Sequence, residues 1–259
     1  LPSAEQNALQ QADRLWTISR YSRDRACTAN QLDAQRIDLL PCAVDGDRFT
    51  PGQKSTELLK HYGLEGSRVL LTVARLWSGD IYKGVDVTIR ALPQILQAIP
   101  DVKYLVVGRG DDQPRLAQLA MELGVSDRVV FAGFVPTANL VEHYRLADAY
   151  VMPSQEGFGI VYLEAMACGV PVLAGDADGS AEPLQDGQLG WHVPHRDSTA
   201  VAQACIKILK ERTAYQQQQS CDRRCDRDWL HQQVTMHFSK AAFAQQLHHL
   251  LLPATEDRA

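Results

Sequence analysis

The sequence predicts an α/β fold, a doubly wound, Rossmann-like parallel sheet with helices on both faces. First, short apolar segments alternate with segments of helical apolar spacing between residues 68 and 173. Second, the short segments are apolar throughout, as in strands that are buried on both faces. Strand–helix alternation of this kind is typical of parallel sheets. Third, the length of 259 residues suffices for one large domain, or for one domain with part of a second.

The segment before this alternation, residues 9–48, shows the pattern helix, strand, helix, strand. The first strand is predicted at residues 15–19 and the second at residues 37–41. The helix between them is predicted to have Ser19 or Ser22 as its N-cap. A serine hydroxyl in that position accepts a hydrogen bond from a backbone N–H group that the helix itself leaves unpaired.

The regular alternation places each further element in order. Strands are predicted at residues 69–73, 104–107, 129–131, 149–152 and 171–173. Helices are predicted at residues 85–99, 113–123, 139–146 and 160–167. The remaining elements are an edge strand at 189–193, a helix at 197–210, an exposed helix in the Gln-rich segment 213–228, and a long amphipathic helix at 229–252. Residues 253–259 are expected to form a frayed tail.

Composition argues against several functions. A net charge of −5 gives no reason to expect a nucleic-acid partner. No apolar run approaches the roughly 20 residues of a transmembrane segment. The six cysteines lack framework spacing, so we expect reduced thiols and no metal, with a zinc site at Cys221, Cys225 and His231 as the less favoured alternative. The chain begins at Leu1 without a signal peptide, so we expect a cytoplasmic protein and a piece of a longer one.

Candidate binding residues follow the predicted strands, because ligands of such sheets bind outside the carboxyl ends of the strands. Arg75 and Lys83 follow the first strand, where two cations can neutralise a diphosphate. Arg109 follows the second strand in a Gly-rich turn and is expected to make no ligand contact. After the third strand, the backbone of Gly133, Phe134 and Val135 is placed to pair with the edge of a base. Taken singly, such cations are more often solvated surface charges.

The segment after the fourth strand, residues 154–164, carries most of the functional signal. Its glycines, Gly157 and Gly159, precede a predicted helix whose N-terminal N–H groups can hold phosphate. Glu164, one turn into that helix, suits a ribose diol, since a carboxylate accepts two hydrogen bonds side by side. Glu156, in the loop, is placed to accept from sugar hydroxyls. The pattern therefore predicts a sugar-nucleotide site, against the alternative of two solvated carboxylates.

In their order and spacing, these motifs resemble the GT-B retaining glycosyltransferases of glycosyltransferase family 4. The resemblance rests on Glu156-x7-Glu164 with Arg75 and Lys83 upstream, and it covers nearly the whole chain. It implies a GT-B type fold with four parts: residues 1–52 as the end of the N-terminal acceptor domain and the interdomain linker, 53–228 as the donor-binding domain, 229–252 as a C-terminal helix and 253–259 as a tail.

The resemblance also implies roles for these residues. Arg75 and Lys83 would hold the donor diphosphate and stabilise it as it leaves, Glu164 would bind the ribose, and Glu156 the transferred sugar. Catalytic roles thus fall to Arg75, Lys83 and Glu156. The full donor-binding set comprises Arg75, Lys83, Gly133, Phe134, Val135, Glu156, Gly157, Phe158, Gly159, Ile160, Val161 and Glu164.

The implied reaction retains the anomeric configuration and needs neither metal nor other cofactor. We expect a UDP-sugar as donor, with a GDP-sugar as the alternative, and a glycan or lipid as acceptor. The N-terminal acceptor domain would be the missing partner, without which the chain is expected to be inactive. A position at the membrane surface, without a transmembrane segment, is compatible with these expectations.

Two departures from the family pattern and two alternatives complete the analysis. Asp178-Gly179 stands where the family has Gly-Gly, and we assign Asp178 no charge-stabilising role. None of the eight histidines occupies the place of the family's catalytic histidine. The first alternative function is a nucleotide-sugar binding module without transfer activity. The second is a UDP-sugar epimerase of GT-B fold, which the spacing of Arg75, Lys83, Glu156 and Glu164 disfavours.

Overall fold

The computed structural model of the chain describes residues 4–252 and contains the predicted alternation of strands and helices. The strands are β1 Leu15–Thr17, β2 Ile37–Leu39, β3 Arg68–Val73, β4 Val102–Val107, β5 Val129–Gly133, β6 Ala149–Met152, β7 Val172–Gly175 and β8 Trp191–Val193. The helices are α1 Ala4–Gln11, α2 Arg20–Asn30, α3 Thr56–His61, α4 Val85–Ala98, α5 Gln113–Glu122, α6 Leu140–Arg145, α7 Ile160–Ala167, α8 Ser198–Gln216, α9 Arg227–Phe238 and α10 Lys240–Leu251. The predicted tail at 253–259 lies outside the described residues.

The main sheet has six parallel strands in the order β5-β4-β3-β6-β7-β8. The chain starts at β3 in the middle, builds outward through β4 and β5, and then returns to build the other half from β6. This confirms the predicted doubly wound α/β fold. The order of strands reverses between β3 and β6, and ligands of such sheets bind at the carboxyl ends of the strands beside that reversal.

The sheet is covered on both faces because successive residues of each strand point to opposite sides. Leu70 of β3 belongs to a core cluster with α4 and α8, whereas its neighbour Leu71 belongs to a second cluster with α7 and α9. Both leucines are fully buried, as the continuous apolar pattern of this strand predicts.

A second, smaller sheet pairs β1 with β2 in parallel and precedes the main domain. Its connecting helix, α2, has Ser19 rather than Ser22 as its N-cap, and the Ser19 hydroxyl accepts a hydrogen bond from the Ser22 N–H. The strand therefore ends at Thr17 rather than at residue 19 as predicted, because Ser19 is used to start the helix.

The predicted single helix at residues 229–252 is wrong, since the structure has two helices, α9 and α10, separated by Ser239. Ser239 has extended backbone angles, and its hydroxyl accepts from the N–H of Ala242 as the N-cap of α10. The carbonyl of Phe238 accepts a hydrogen bond from the N–H of Val44, in the segment between β2 and α3, at 2.8 Å. This segment thus uses a backbone group that a continuous helix would use.

The preceding segment also differs from the prediction. Helix α8 is capped by Asp197 as expected but continues to Gln216, beyond the predicted end at residue 210. Between the end of α8 and the start of α9 at Arg227, the Gln-rich segment holds a 3₁₀ turn, Arg223–Cys225, rather than an exposed helix, and Cys225 is buried. All six cysteines are free thiols. Between residues 4 and 252, no helix combines the length and apolar character of a bilayer span.

Candidate active site

A cavity of about 850 Å³ opens at the carboxyl ends of the central strands. Its walls come from the loops after β3, β4, β5 and β6 and from the start of α7. Most of the predicted donor-binding residues line it: Arg75, Lys83, Phe134, Val135, Glu156, Gly157, Phe158, Gly159, Ile160 and Val161. The structure therefore brings together residues that lie up to 86 positions apart in the chain. Gly133 and Glu164 are not among the lining residues.

Arg75 projects from the loop after β3, directly beside the cavity. One guanidinium nitrogen lies 3.1 Å from a carboxylate oxygen of Asp80, whose side chain is only 5% exposed. The Arg75 side chain itself is 72% exposed. Asp80 therefore lies within ion-pair distance of one guanidinium nitrogen, and the exposed remainder of the Arg75 side chain stays accessible to an anion.

Lys83 and Glu156 form an ion pair across the cavity wall, and both side chains are largely buried. Their loops are joined through the backbone, because the N–H of Gln155 donates to the carbonyl of Tyr82 at 3.2 Å. Gly84 ends the Lys83 loop with a φ of 75°, and a Cβ there would lie 2.7 Å from the carbonyl oxygen of Pro153. Only glycine permits this close approach of the two loops. An incoming diphosphate would compete with Glu156 for the ammonium group.

Helix α7 begins at the cavity with its N-terminus uncapped by any side chain. Gly159, the residue before it, has a φ of 86°, and a Cβ at this position would meet the ring of Tyr162 at 2.3 Å. Phe158 is buried and packs edge-on against Phe238 of α9, with ring centroids 6.2 Å apart. This contact anchors the loop before α7 to the core. The first residues of the helix, Ile160 and Val161, thus line the cavity together with Arg75 and Lys83, an arrangement that suits phosphate.

Glu164 lies one turn inside α7, where one carboxylate oxygen accepts a hydrogen bond from the hydroxyl of buried Tyr144 at 2.6 Å. Burial raises the pKa of Glu164, while the Tyr144 hydrogen bond and the charge of Arg48 oppose the shift. Burial likewise raises the pKa of Tyr144, so that its hydroxyl remains a donor. Glu164 is therefore oriented by Tyr144 and keeps its second oxygen free of any hydrogen bond within the described part of the chain.

The loop after β5 carries the aromatic part of the cavity wall. The side chain of Phe134 is 62% exposed, and the guanidinium carbon of Arg109 lies 4.9 Å from the centroid of its ring. Arg109 thus lines the cavity beside the predicted donor-binding residues, and the expectation that it makes no ligand contact stays a prediction. The carbonyl of Gly133 accepts a hydrogen bond from the N–H of Gly108 at 2.8 Å, so this backbone group is used within the fold.

The backbone of the Glu156 loop donates hydrogen bonds to, and accepts them from, residues that do not line the cavity. The Asp178 carboxylate accepts a hydrogen bond from the N–H of Glu156 at 2.6 Å, and burial raises its pKa while its hydrogen bonds oppose the shift. The carbonyl of Gly157 accepts from the hydroxyls of Ser19 and Ser22, at 2.5 and 3.1 Å. Residues from the N-terminal segment therefore touch the same loop that faces the cavity.

Several lining residues were not singled out from the sequence: Ile18, Cys42, Trp77, Thr137 and Leu140. Trp77 lies two positions after Arg75 and is 56% exposed, and an exposed aromatic residue beside a candidate cation was a signal available in the sequence. Cys42 and Ile18 reach the cavity only because the linker and the N-terminal segment pack against the domain, which no local pattern indicates.

The doubly wound sheet, with a cavity at its switch point lined by cations and by the start of α7, defines an α/β domain of GT-B type with its candidate site at the carboxyl ends of the strands. The sequence model described as "Glycosyl transferases group 1" matches residues 67–211. The chain therefore belongs to the glycosyl transferases group 1 family.

Curated relatives agree with this assignment. The chain is 37% identical over 209 residues to the GDP-mannose-dependent alpha-(1-6)-phosphatidylinositol monomannoside mannosyltransferase of Mycolicibacterium smegmatis. The aligned residues make up 77% of this chain and 54% of that protein. It is 34% identical over 217 residues to the D-inositol 3-phosphate glycosyltransferase of Mycobacteroides abscessus, which covers 81% of the chain and 47% of that protein. The chain thus spans about half the length of the curated relatives it matches.

Solved structures agree on the fold. A glycosyltransferase from Rickettsia africae superposes with a TM-score of 0.79 at 18% identity, over 96% of this chain and 66% of that one. Sucrose-phosphate synthase from Thermosynechococcus elongatus superposes with a TM-score of 0.77 at 27% identity, over 95% of this chain and 59% of that one. The GT-B type of the α/β fold is therefore confirmed.

Proposed function

We propose that the chain carries the donor site of a retaining, metal-independent glycosyltransferase that takes a mannosyl group from GDP-mannose and transfers it to an inositol-containing lipid. The observation that carries the proposal is the cavity at the switch point of the sheet, where Arg75, Lys83 and the start of α7 converge beside Glu156. This arrangement suits a diphosphate whose two ends carry hydroxyl-rich groups.

The choice of base and sugar rests on the relatives. The sequence favoured a UDP-sugar as donor, with a GDP-sugar as the alternative. No side chain that would read the base supported this preference for uridine over guanosine. The Mycolicibacterium smegmatis relative, at 37% identity, is named as GDP-mannose-dependent, which now favours GDP-mannose. A UDP-sugar remains the second candidate, and direct competition between the two donors distinguishes them.

Metal independence is proposed on electrostatic grounds. Arg75, Lys83 and Arg109 bring three positive charges to the cavity and Glu156 one negative charge, and the helix N-terminus adds a partial positive charge. Charge-assisted hydrogen bonds from these groups can offset the charge of a diphosphate without a divalent ion. Retention of the anomeric configuration follows the family resemblance, in which the leaving phosphate takes the acceptor proton.

The acceptor class also follows the relatives: inositol is common to both names, and the lipid part rests on the phosphatidylinositol monomannoside named for the Mycolicibacterium smegmatis relative alone. A lipid acceptor places the reaction at a membrane surface, and we propose a peripheral, cytoplasmic enzyme. The acceptor pocket would be formed together with the part of the protein that the relatives have and this chain does not span.

Titration calorimetry of this chain with GDP-mannose and UDP-glucose, each in the presence of EDTA, tests the proposal. We expect GDP-mannose to bind without metal and more tightly than UDP-glucose. Lys83→Ala should weaken binding by roughly 10- to 150-fold, the range for a lost charge-assisted hydrogen bond. Lys103→Ala is the matched control, since Lys103 lies on β4 and its ammonium contacts the carbonyl of Gly63 instead.

The outcomes separate the parts of the proposal. Tighter binding of UDP-glucose would overturn the choice of base but leave the donor site in place. Loss of binding in EDTA would overturn metal independence. Equal affinity of the Lys83→Ala and Lys103→Ala variants would remove the cavity at the switch point as the donor site.

A further inference from the structure

Asp178 occupies the position at which this chain departs from the Gly-Gly pattern, and its residue is only 7% exposed. Both oxygens of its carboxylate are used. One accepts from the N–H of Ser180 at 2.8 Å, as the N-cap of the 3₁₀ turn Gly179–Ala181. The other accepts from the N–H of Glu156 at 2.6 Å, in the loop after the neighbouring strand β6. The first contact is local, and the second joins two loops.

The carbonyl of Glu156 is held by the same segment, because it accepts a hydrogen bond from the N–H of Gly179 at 2.8 Å. Both backbone polar groups of Glu156 are therefore bonded to residues 178 and 179. The contact is also sterically close, since a Cβ at Gly179 would lie 2.0 Å from the carbonyl oxygen of Gly157. The main chain of Glu156 is thus fixed, and only its side-chain torsions remain to adapt.

Asp178 itself is not among the residues that line the cavity, whereas Glu156 is. We propose that Asp178 is a positioning residue that fixes the backbone of Glu156 so that the Glu156 carboxylate meets the transferred sugar. The inference rests on the proposed function, in which Glu156 binds the sugar and not the nucleotide. A glycine at position 178 has no side chain for this contact, so the departure from the family pattern adds a hydrogen bond.

Two substitutions separate the local contact from the contact between loops. Asp178→Ser keeps a hydroxyl that can cap the 3₁₀ turn, as serine does at helix starts, but is too short to reach Glu156. Asp178→Asn keeps the size and shape of the side chain, but one of its two positions now presents an NH₂ group to a backbone N–H. A merely structural role would make the serine variant resemble the wild type.

The test uses calorimetry of this chain with GDP and with GDP-mannose, so that the nucleotide and the sugar are measured separately. We expect both variants to bind GDP within about twofold of the wild type. GDP-mannose should bind about 3- to 10-fold more weakly, as for the loss of one hydrogen bond that orients a binding group. In a Glu156→Ala background, neither substitution at Asp178 should weaken GDP-mannose binding further.

The inference would be overturned if the Asp178 variants lost GDP affinity and GDP-mannose affinity to the same extent. It would also be overturned if the losses from Asp178 and Glu156→Ala were additive for GDP-mannose, or if Asp178→Ser bound GDP-mannose like the wild type. A wild-type chain that binds neither ligand would overturn the proposed function, and with it the inference that rests on it. A wild-type chain that binds both, with variants that bind both equally well, would overturn the inference alone. Thermal melts of each variant verify that it is folded.

Discussion

At the scale of single residues, the two glutamates of the donor segment differ in their partners. Glu164 is oriented by a hydrogen bond from Tyr144 and is not among the residues that line the cavity. Glu156 faces Lys83 at the wall itself. In the proposed function, Glu164 would be the fixed acceptor for the ribose diol, and Glu156 the carboxylate that gives up Lys83 when the donor binds.

Glu164→Ala should weaken binding of GDP as well as GDP-mannose, because a ribose diol would lose its acceptor. The expected cost is about 1–3 kcal/mol, or roughly 5- to 150-fold in affinity. Glu156→Ala should spare GDP and weaken only GDP-mannose. Calorimetry with GDP and with GDP-mannose measures the affinity of each glutamate variant for both ligands. Tyr144→Phe is the control, because it removes the Tyr144–Glu164 hydrogen bond but keeps the Glu164 carboxylate. Equal loss of GDP affinity in both glutamate variants would contradict this division of roles.

The residues that sequence patterns could predict are those in the loops that directly follow strands. Arg75, Lys83 and Glu156 were found in this way, and all three line one cavity. Asp80, which holds Arg75, and Asp178, which holds Glu156, were not assigned these roles. Their partners are distant side chains and backbone groups, so only the assembled loops bring these contacts about.

At the scale of elements, strands and helices of the main domain followed from apolar periodicity, because burial on both faces leaves a clear pattern. The break at Ser239 did not, since apolar residues continue at helical spacing on both sides of it. The break depends on the segment between β2 and α3, where the N–H of Val44 donates a hydrogen bond to the carbonyl of Phe238. A long-range contact therefore decided where α9 ends.

The start of α7 gives a prediction at this scale. Gly159→Ala should lower both stability and nucleotide affinity, because the new Cβ would meet the Tyr162 ring at 2.3 Å and φ is 86°. Gly124→Ala is the matched control: φ is 67°, and no atom lies within 4 Å of the added Cβ. The control should cost only about 1–2 kcal/mol for the left-handed backbone and leave binding unchanged.

Denaturant unfolding and calorimetry of the two alanine variants provide the comparison. A Gly159→Ala variant that binds GDP as tightly as the Gly124→Ala variant would show that the N-terminus of α7 takes no part in holding the diphosphate. A loss of affinity at residue 159 alone would assign the effect to the helix start rather than to backbone strain in general.

At the scale of the whole molecule, the chain spans about half the length of its curated relatives. Rate enhancement requires donor and acceptor to be held together in a site that excludes water. We therefore expect this chain alone to transfer no mannose at a useful rate, while a protein that also contains the remaining part does so. Product analysis by mass spectrometry tests both. Transfer by the 259-residue chain alone would contradict the two-domain interpretation.

Interconversion of a UDP-sugar without acceptor would favour an epimerase.

The last prediction concerns Arg75 and Lys83 in a protein that also contains the part of the relatives that this chain does not span. Asp80 and Glu156 form ion pairs with these cations, so the positions of both charges are constrained by the protein itself. Negative charge grows on the diphosphate as the sugar leaves, so both cations should bind the transition state more strongly than the bound donor. Interactions of this kind raise the rate of the chemical step, whereas uniform binding lowers only KM.

Arg75→Ala and Lys83→Ala should therefore each lower kcat by on the order of 10²- to 10³-fold, as for other preorganised groups, with a smaller rise in the donor KM. Arg68→Ala is the control, because Arg68 lies at the opposite end of β3 and pairs with Asp101 at 2.6 Å. Its removal should leave kcat unchanged. Steady-state kinetics with varied GDP-mannose separates kcat from KM for each variant. If the three variants share a near-wild-type kcat, the cations contribute to donor binding alone, and the charge of the departing diphosphate must be stabilised by other groups.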